Sequence, residues 1–134
     1  IAKEIKKEVK KGSKGIIITH GTDTMHYTST ALSFILEDLN IPVLLTGAQR
    51  SSDRPSSDAE LNLICATQFI ANCDNFTDIG ICMHSGMNDS SCYILPGTKT
   101  KKLHSSRRDA FQSINTKPWA KIDNKGKINY ISTN

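Results

Sequence analysis

The stretch Gly15-Ile16-Ile17-Ile18-Thr19-His20-Gly21-Thr22-Asp23-Thr24 decides the fold of this chain. It opens with a short β-branched run, which predicts a buried strand. A polar loop with one glycine follows. Helical spacing of apolar residues then runs from Met25 to Leu39, and Asn40 and Pro42 are expected to end that helix. The order is therefore strand, polar loop and helix.

The same order is repeated further along the chain. A second apolar run, Val43–Thr46, leads into the long polar loop Gly47–Pro55. Ser56, Ser57 or Asp58 then caps a helix that runs to about Asn72, and residues 78–83 form a third strand. Alternating short strands and helices predict an α/β fold with a parallel sheet flanked by helices. Ligands bind at the carboxyl ends of such strands, where both polar loops lie.

The two ends of the chain extend this picture within one domain. Residues 1–11 have the spacing of an amphipathic helix, which Gly12 ends. Near the other end, residues 124–127 read as a hairpin turn between two short strands. The chain starts at Ile1 without an initiator methionine or a signal sequence. We therefore expect it to be one partial domain, residues 1–134, of a longer protein.

Composition narrows the class of protein. The chain has 134 residues, 37% of them hydrophobic, and its longest apolar runs are too short to cross a bilayer. The net charge of +4 comes mostly from lysines in the first helix and from residues 99–108. Such an excess suits an RNA partner, but a solvated helix face is the more usual meaning of a lysine run. The four cysteines lack the close C-x-x-C spacing of zinc or redox sites, and they indicate a reducing compartment.

Thr22 and Asp23 are the first candidates for chemistry, because they lie where a buried strand turns into a helix. The simpler interpretation is that they cap the helix. The functional interpretation needs a base, since a threonine hydroxyl is a weak nucleophile at neutral pH. Lysines 99, 101 and 102 are candidates for that base, and spacing alone does not choose among them.

Several motifs, in order, resemble the bacterial-type asparaginase and glutaminase family. Ile18–Met25 contains the family's H-G-T-D-T signature, and Thr46–Arg50 is similar to its next loop. Asp58, Asn62 and the segment Gly97–Asn115 follow as in the family. The resemblance covers nearly the whole chain. It implies part of an asparaginase-type N-terminal domain and an amidohydrolase activity in the full-length protein.

The resemblance also implies roles for four residues. Thr22 is one of two threonines at the reacting amide, and Asp23 orients Thr22 and binds the substrate α-amino group. Lys102 falls on the catalytic lysine and shifts the proton. Gly21, Thr22 and Asp23 bind the substrate, with backbone N–H groups of Gly21 and the next helix facing its carboxylate or oxyanion. No cofactor or metal is implied for this chain.

One branch of the family is closer than the others. Residues 25–28, 50–59 and 104–111 resemble the glutaminase (D-type) subunits of archaeal tRNA-dependent amidotransferases. That branch hydrolyses glutamine and passes ammonia to an E-type subunit, which uses ATP and Mg²⁺ to convert Glu-tRNA(Gln) to Gln-tRNA(Gln). The resemblance thus implies a cytoplasmic protein with glutamine, the E-type subunit and tRNA(Gln) as partners. Asp53 with Arg54, and Arg107-Arg108 with Asp109, are predicted loop ion pairs or, alternatively, contacts with the E-type subunit or tRNA.

Part of the family pattern lies outside this sequence. The T-G-G-T-I-type signature with the primary threonine lies before this region in the family, as does a substrate-binding Ser-Gln segment. A second domain completes the neighbouring subunit's site, which implies a homodimer. We therefore expect half an active site and no hydrolysis by this chain alone. The alternatives are a stand-alone L-asparaginase and a non-catalytic truncated paralogue or RNA-binding module.

Overall fold

The computed structural model describes residues 1–132, which form three helices and eight strands. The helices are α1 (Ala2–Lys10), α2 (Met25–Ile35) and α3 (Ala59–Asn72). The strands are β1 (Ile16–Thr19), β2 (Val43–Thr46), β3 (Ile79–His84), β4 (Ser91–Pro96), β5 (Thr100–Lys102), β6 (Phe111–Ser113), β7 (Ala120–Asp123) and β8 (Ile128–Tyr130).

Six strands form one sheet in the order β1-β2-β3-β4-β7-β8. The first three are parallel, as the sequence predicts, because a helix connects each one to the next. The sheet is mixed, since β4, β7 and β8 pair antiparallel. A short loop joins β3 to β4, and such a loop allows antiparallel pairing alone. Strands β5 and β6 form a separate two-stranded sheet. The predicted α/β class is confirmed.

The core has two layers, one on each face of the sheet. Alternate residues of β2 divide between them: Val43 and Leu45 face α1 and α2, and Leu44 faces α3. All three are completely buried, which explains the continuous apolar run of this central strand. On α3, the largest core side chain is Phe69, which is also fully buried. The helices thus cover both faces of the sheet.

Helix α2 is shorter than the sequence predicts. It ends at Ile35, four residues before Leu39, and Leu36 leaves the helical region with φ −117° and ψ 38°. The Leu39 N–H donates to the Leu36 carbonyl at 3.0 Å, so a tight turn replaces the last helical turn. Leu36 and Leu39 still contact the core in this arrangement. The apolar spacing therefore persists although the helix does not.

The predicted first helix and last hairpin are confirmed by the structure. Gly12 follows α1 with a positive φ of 92°, and the lysines of α1 face solvent. The turn between β7 and β8 is held by Asp123, whose Oδ1 accepts from the Lys125 and Lys127 N–H groups at 2.9 and 3.0 Å. Among residues 1–132, no helix combines the length and apolar character needed to cross a membrane.

Candidate active site

The loops that follow β1 and β2 meet at the carboxyl edge of the sheet. The His20 N–H donates to the Thr46 carbonyl at 2.9 Å, which continues the β1–β2 ladder into the loops. A methyl group on Gly47 would lie 2.3 Å from the His20 carbonyl oxygen and 3.3 Å from Thr22 Cγ2. A glycine is therefore required at this position. The close approach of Gly47 to His20 and Thr22 determines the position of Thr22 relative to β2.

Three of the predicted site residues lie together at this edge. Lys102 Nζ donates to Thr22 Oγ1 at 2.9 Å and to Asp23 Oδ1 at 2.7 Å. Eighty positions of sequence separate Thr22 from Lys102, and the β5–β6 sheet brings the lysine to the loop. Lys101 is its neighbour on β5 and is exposed, because successive side chains of a strand point to opposite sides. Of the three candidate lysines, Lys102 is the one at Thr22.

The charges in this group favour an ionised carboxylate. The hydrogen bond from Lys102, followed by its positive charge, lowers the pKa of Asp23 below its usual value. The Lys102 side chain is 9% exposed, whereas that of Asp23 is 93% exposed. An anion thus faces solvent beside a hydroxyl and an amine. This arrangement suits binding of a cationic group next to an atom that is to be attacked.

Helix capping does not explain Thr22 and Asp23. The N-cap of α2 is Thr24, which makes no side-chain capping hydrogen bond. The capping interpretation is therefore wrong for both residues. Gly21, at the loop's outer end, has open space around it, with no atom within 4 Å of a methyl group added there. The first N–H groups of α2 have no intrahelical partners and lie next to this loop.

His20 holds the loop in place, although its sequence context predicts only an unspecified supporting or surface role and no metal site. Its Nδ1 lies 2.6 Å from the Gly21 carbonyl oxygen, which accepts the proton in the tautomer that this contact selects. Nε2 then accepts from the Thr28 hydroxyl at 2.9 Å. The ring thus joins the loop carrying Thr22 to the first turn of α2. Nothing in the spacing of His20 indicates this role.

The loop after β2 is organised around a buried carboxylate. Asp58 is completely buried and accepts from the backbone N–H groups of Gln49 and Arg50 at 3.0 and 2.9 Å, and from Asn62 Nδ2 at 3.2 Å. It occupies the N-cap position of α3 but makes no side-chain cap bond. Of the three residues expected to cap the helix, Ser57 is the one whose hydroxyl accepts from Ala59 N–H, at 3.2 Å.

One of the two predicted loop ion pairs is confirmed and the other is wrong. Arg107 pairs with Asp109 through two N–H groups, at 2.8 and 3.0 Å. Arg108 donates instead to the Ser56 carbonyl. The expected pair between Asp53 and Arg54 is not formed in the described part of the chain, because Asp53 accepts from the Ser51 hydroxyl. The two loops that distinguish the branch are therefore in contact with each other.

The cysteines and His84 make no hydrogen bond to this group among residues 1–132. All four cysteines are free; Cys65, Cys82 and Cys92 are buried, and Cys73 is partly exposed. His84 is buried and bonds Asn62 Oδ1 at 2.6 Å and Asp89 Oδ1 at 2.9 Å. Within residues 1–132, no group of three or more histidine, cysteine or acidic side chains is arranged to hold a metal ion.

Comparison with known proteins agrees with this geometry. The family described as "Asparaginase, N-terminal" matches residues 1–134, and the chain belongs to that family. Among solved structures, the thermostable L-asparaginase from Thermococcus kodakarensis superposes with a TM-score of 0.86 and 34% identity, over 99% of this chain and 37% of that one. A probable cytoplasmic L-asparaginase from Campylobacter jejuni gives a TM-score of 0.85, with 32% identity over 98% of this chain and 39% of that one.

Curated relatives are more similar in sequence. The D-type subunit of glutamyl-tRNA(Gln) amidotransferase from Pyrococcus furiosus is 52% identical over 131 residues, which cover 98% of this chain and 30% of the relative. Its counterpart from Methanobrevibacter smithii is 52% identical over 123 residues, 92% of this chain and 28% of the relative. The chain thus spans about 30% of the length of these relatives.

Proposed function

We propose that this chain is part of the glutaminase subunit of a tRNA-dependent amidotransferase. In this proposal the full-length protein hydrolyses glutamine, and its ammonia is used to convert Glu-tRNA(Gln) to Gln-tRNA(Gln). The observation that carries the proposal is Lys102 Nζ between Thr22 Oγ1 and Asp23 Oδ1. Support for the branch comes from 52% identity to a D-type amidotransferase subunit, against 34% to an L-asparaginase.

The three side chains fit amide hydrolysis by a threonine. A threonine oxygen bonds to the amide carbon, the C–N bond breaks, and water then releases glutamate from the enzyme. In this scheme Lys102 relays the hydroxyl proton to the departing nitrogen, which leaves as ammonia. Thr22 works in this scheme beside the family's primary threonine. Asp23 holds the lysine and binds the substrate α-amino group, because its carboxylate is ionised and exposed.

Partners follow from the same proposal. Ammonia passes to the E-type subunit, where ATP and Mg²⁺ activate the glutamate on tRNA(Gln). The active protein is a cytoplasmic homodimer, since in this family a second domain completes the neighbouring subunit's site. This chain alone is expected not to hydrolyse glutamine or asparagine. Residues that act as one catalytic unit lose most of their effect together when one is missing.

A stand-alone L-asparaginase is the second candidate, because the backbone superposes on such an enzyme with a TM-score of 0.86. It would use the same three residues on free asparagine. The segments 50–59 and 104–111 favour the amidotransferase, since they follow the pattern of its D-type subunit. A truncated, non-catalytic paralogue or RNA-binding module is the third. That candidate requires salt-sensitive binding of tRNA by the chain without any hydrolysis.

The experiment separates the two catalytic sites of the amidotransferase. Full-length protein with its E-type subunit is assayed for Gln-tRNA formation from Glu-tRNA and ATP, with glutamine or ammonium salt as donor. Thr22→Val keeps the shape and removes the hydroxyl. We expect glutamine-dependent synthesis to fall on the order of a hundredfold or more, because a transition-state interaction is lost. Synthesis from ammonium should persist.

Thr24→Val is the matched control, since this threonine lies in the same loop and makes no side-chain capping bond. It should leave both donors effective. If the unmutated pair makes no Gln-tRNA from either donor yet cleaves free asparagine, the amidotransferase proposal fails and the asparaginase candidate stands. If neither amide is cleaved by the full-length protein, both catalytic proposals fail.

A further inference from the structure

We propose that Gln49 is a positioning residue, which holds Lys102 at Thr22 by fastening the loop that follows β5. This inference rests on the proposed function, because it assigns a role in the same site. Gln49 lies in the loop after β2, and its side chain makes no contact with Thr22, Asp23 or Lys102 among the hydrogen bonds of the described residues. Its effect would therefore be exerted through the backbone.

Lys102 needs a residue that holds it in place because its strand belongs to the separate β5–β6 sheet. Lys102 is the last residue of β5, and this hairpin has no ladder with the six-stranded sheet. Beyond Lys102, the Leu103 N–H donates to the Ala110 carbonyl at 2.7 Å, which closes a loop of residues 104–109. The main sheet fixes the loop of Thr22 directly. Other contacts must fix Lys102 relative to it.

Gln49 supplies one of these contacts. Its Nε2 donates to the Arg107 carbonyl at 2.9 Å and lies 3.4 Å from the His104 carbonyl. Arg108 reinforces the contact from the other side by donating to the Ser56 carbonyl. These hydrogen bonds join the loop after β2 to the loop after β5. His104 is two residues from Lys102, so a shift of this loop moves the lysine.

Gln49, which donates this hydrogen bond, is itself held in place by buried contacts. The backbone N–H of Gln49 bonds the buried carboxylate of Asp58 at 3.0 Å, and Arg50 N–H bonds the other oxygen at 2.9 Å. Asn62 Nδ2, within α3, bonds both Asp58 at 3.2 Å and the Gly47 carbonyl at 2.9 Å. Helix α3, the buried Asp58 side chain and the Gln49 amide thus connect the sheet to the loop of Lys102.

The test exchanges the amide of Gln49 for a carboxylate of the same size. Gln49→Glu removes the Nε2 donor and places an acceptor against two carbonyl oxygens. The matched control is Gln112→Glu, which makes the same change at an exposed position of β6 in the same hairpin. Both variants are made in the full-length protein and assayed for glutamine hydrolysis over a range of pH.

We expect Gln49→Glu to lower kcat by about 10- to 100-fold with a smaller change in KM, because a misplacement of about 1 Å costs up to a hundredfold. Displacing Lys102 also removes the main cause of the lowered pKa of Asp23. The acid limb of the pH profile should therefore move to higher pH in Gln49→Glu and not in Gln112→Glu. A variant that is merely less stable would lose active protein without moving this limb.

The Asp23 carboxyl resonance provides a readout that does not depend on activity. Its NMR titration should move to higher pH in Gln49→Glu and stay in place in Gln112→Glu. An unchanged titration together with an unchanged kcat overturns the proposal. So does a loss of activity that merely follows the folded fraction. If the unmutated protein hydrolyses no amide, the proposed function fails, and the titration still decides whether Gln49 positions Lys102.

Discussion

Lys102 and Asp23 form an ion pair of 2.7 Å in which the lysine side chain is 9% exposed and the aspartate side chain is 93% exposed. The alkyl stem of the lysine is thus covered while its amine reaches the surface. The lysine is fixed by its surroundings, and the aspartate is fixed mainly by the lysine. Loss of Lys102 should therefore release Asp23, whereas loss of Asp23 should leave Lys102 in place.

Replacing Lys102 by Met should strongly reduce amide hydrolysis with little effect on stability. The apolar stem is retained, whereas the amine that we propose shifts the proton is lost, so amide hydrolysis by the full-length protein should fall by about 10²- to 10⁴-fold. Lys101→Met is the control, since it makes the same change at the adjacent, exposed position of β5. The measurements are the initial rate of ammonia release and the thermal unfolding midpoint. Equal rates for the two variants would contradict the assignment of Lys102.

Gly47→Ala should destabilise the protein, and Gly21→Ala should not. A methyl group at Gly47 would lie 2.3 Å from the backbone oxygen of His20, which cannot move without breaking the β1–β2 ladder, whereas one at Gly21 meets no atom within 4 Å. We expect Gly47→Ala to lower the free energy of unfolding by about 1–3 kcal/mol. Urea titration of both variants checks this. A stable Gly47→Ala protein would show that the loops are further apart than described.

His26 should make the fold sensitive to mild acid. Burial, followed by the positive charges of Lys101 and Lys102, lowers the pKa of His26 below its usual value of 6.5. The unfolded chain therefore binds the proton more readily. Stability is fully present above about pH 6.5 and is lost as the pH falls below it towards the folded pKa. His26→Phe should reduce this loss, because a ring next to Phe111 is kept while the titration is removed.

The comparison requires unfolding midpoints of both proteins at about pH 7.5 and about pH 5.5, on either side of the usual histidine pKa. The difference between the two pH values should be smaller in His26→Phe than in the unmutated protein. Equal differences would mean that the buried imidazole makes no contribution to acid sensitivity.

The cysteines should react in two classes. Cys73 is partly exposed, while Cys65, Cys82 and Cys92 are buried. A hydrogen bond with the Cys92 thiol, followed by burial, raises the pKa of Cys65, and burial raises the pKa of Cys73 as well, so solvent access separates the two classes. With a thiol reagent at neutral pH, about one thiol per chain should react in the folded state and the others on unfolding. Reaction persisting in Cys73→Ser would contradict this order.

Much of the fold could be predicted from the sequence, because short apolar runs separated by polar loops define βαβ connections directly. The parallel part of the sheet, the ends of β2 and the last hairpin follow from such local signals. The antiparallel half and the separate β5–β6 sheet do not, since they depend on which distant strands pair. The early end of α2 was also missed, because Leu36 and Leu39 keep helical spacing while packing through a turn.

The site was predictable in part for a similar reason. Spacing does not distinguish Lys99, Lys101 and Lys102, whereas the resemblance to the family implies Lys102, which lies beside Thr22 in the structure. The contacts of His20 and Gln49 had no signal in the sequence. Both depend on side chains meeting carbonyl oxygens, and such contacts are set by tertiary structure and not by residue type.

The β5–β6 hairpin shares no strand pairing with the main sheet and is joined to it through side chains, among them Phe111. Opening of the hairpin withdraws Lys102 without breaking the six-stranded ladder, so it costs less free energy than global unfolding. Phe111 is 1% exposed and sets much of that cost, about 2–3 kcal/mol for a buried aromatic ring. The proportion of molecules with Lys102 at Thr22 therefore depends on the free energy of opening the hairpin as well as on that of global unfolding. Substitutions at the contacts between the loops after β2 and β5 would change this proportion while the melting temperature stayed the same.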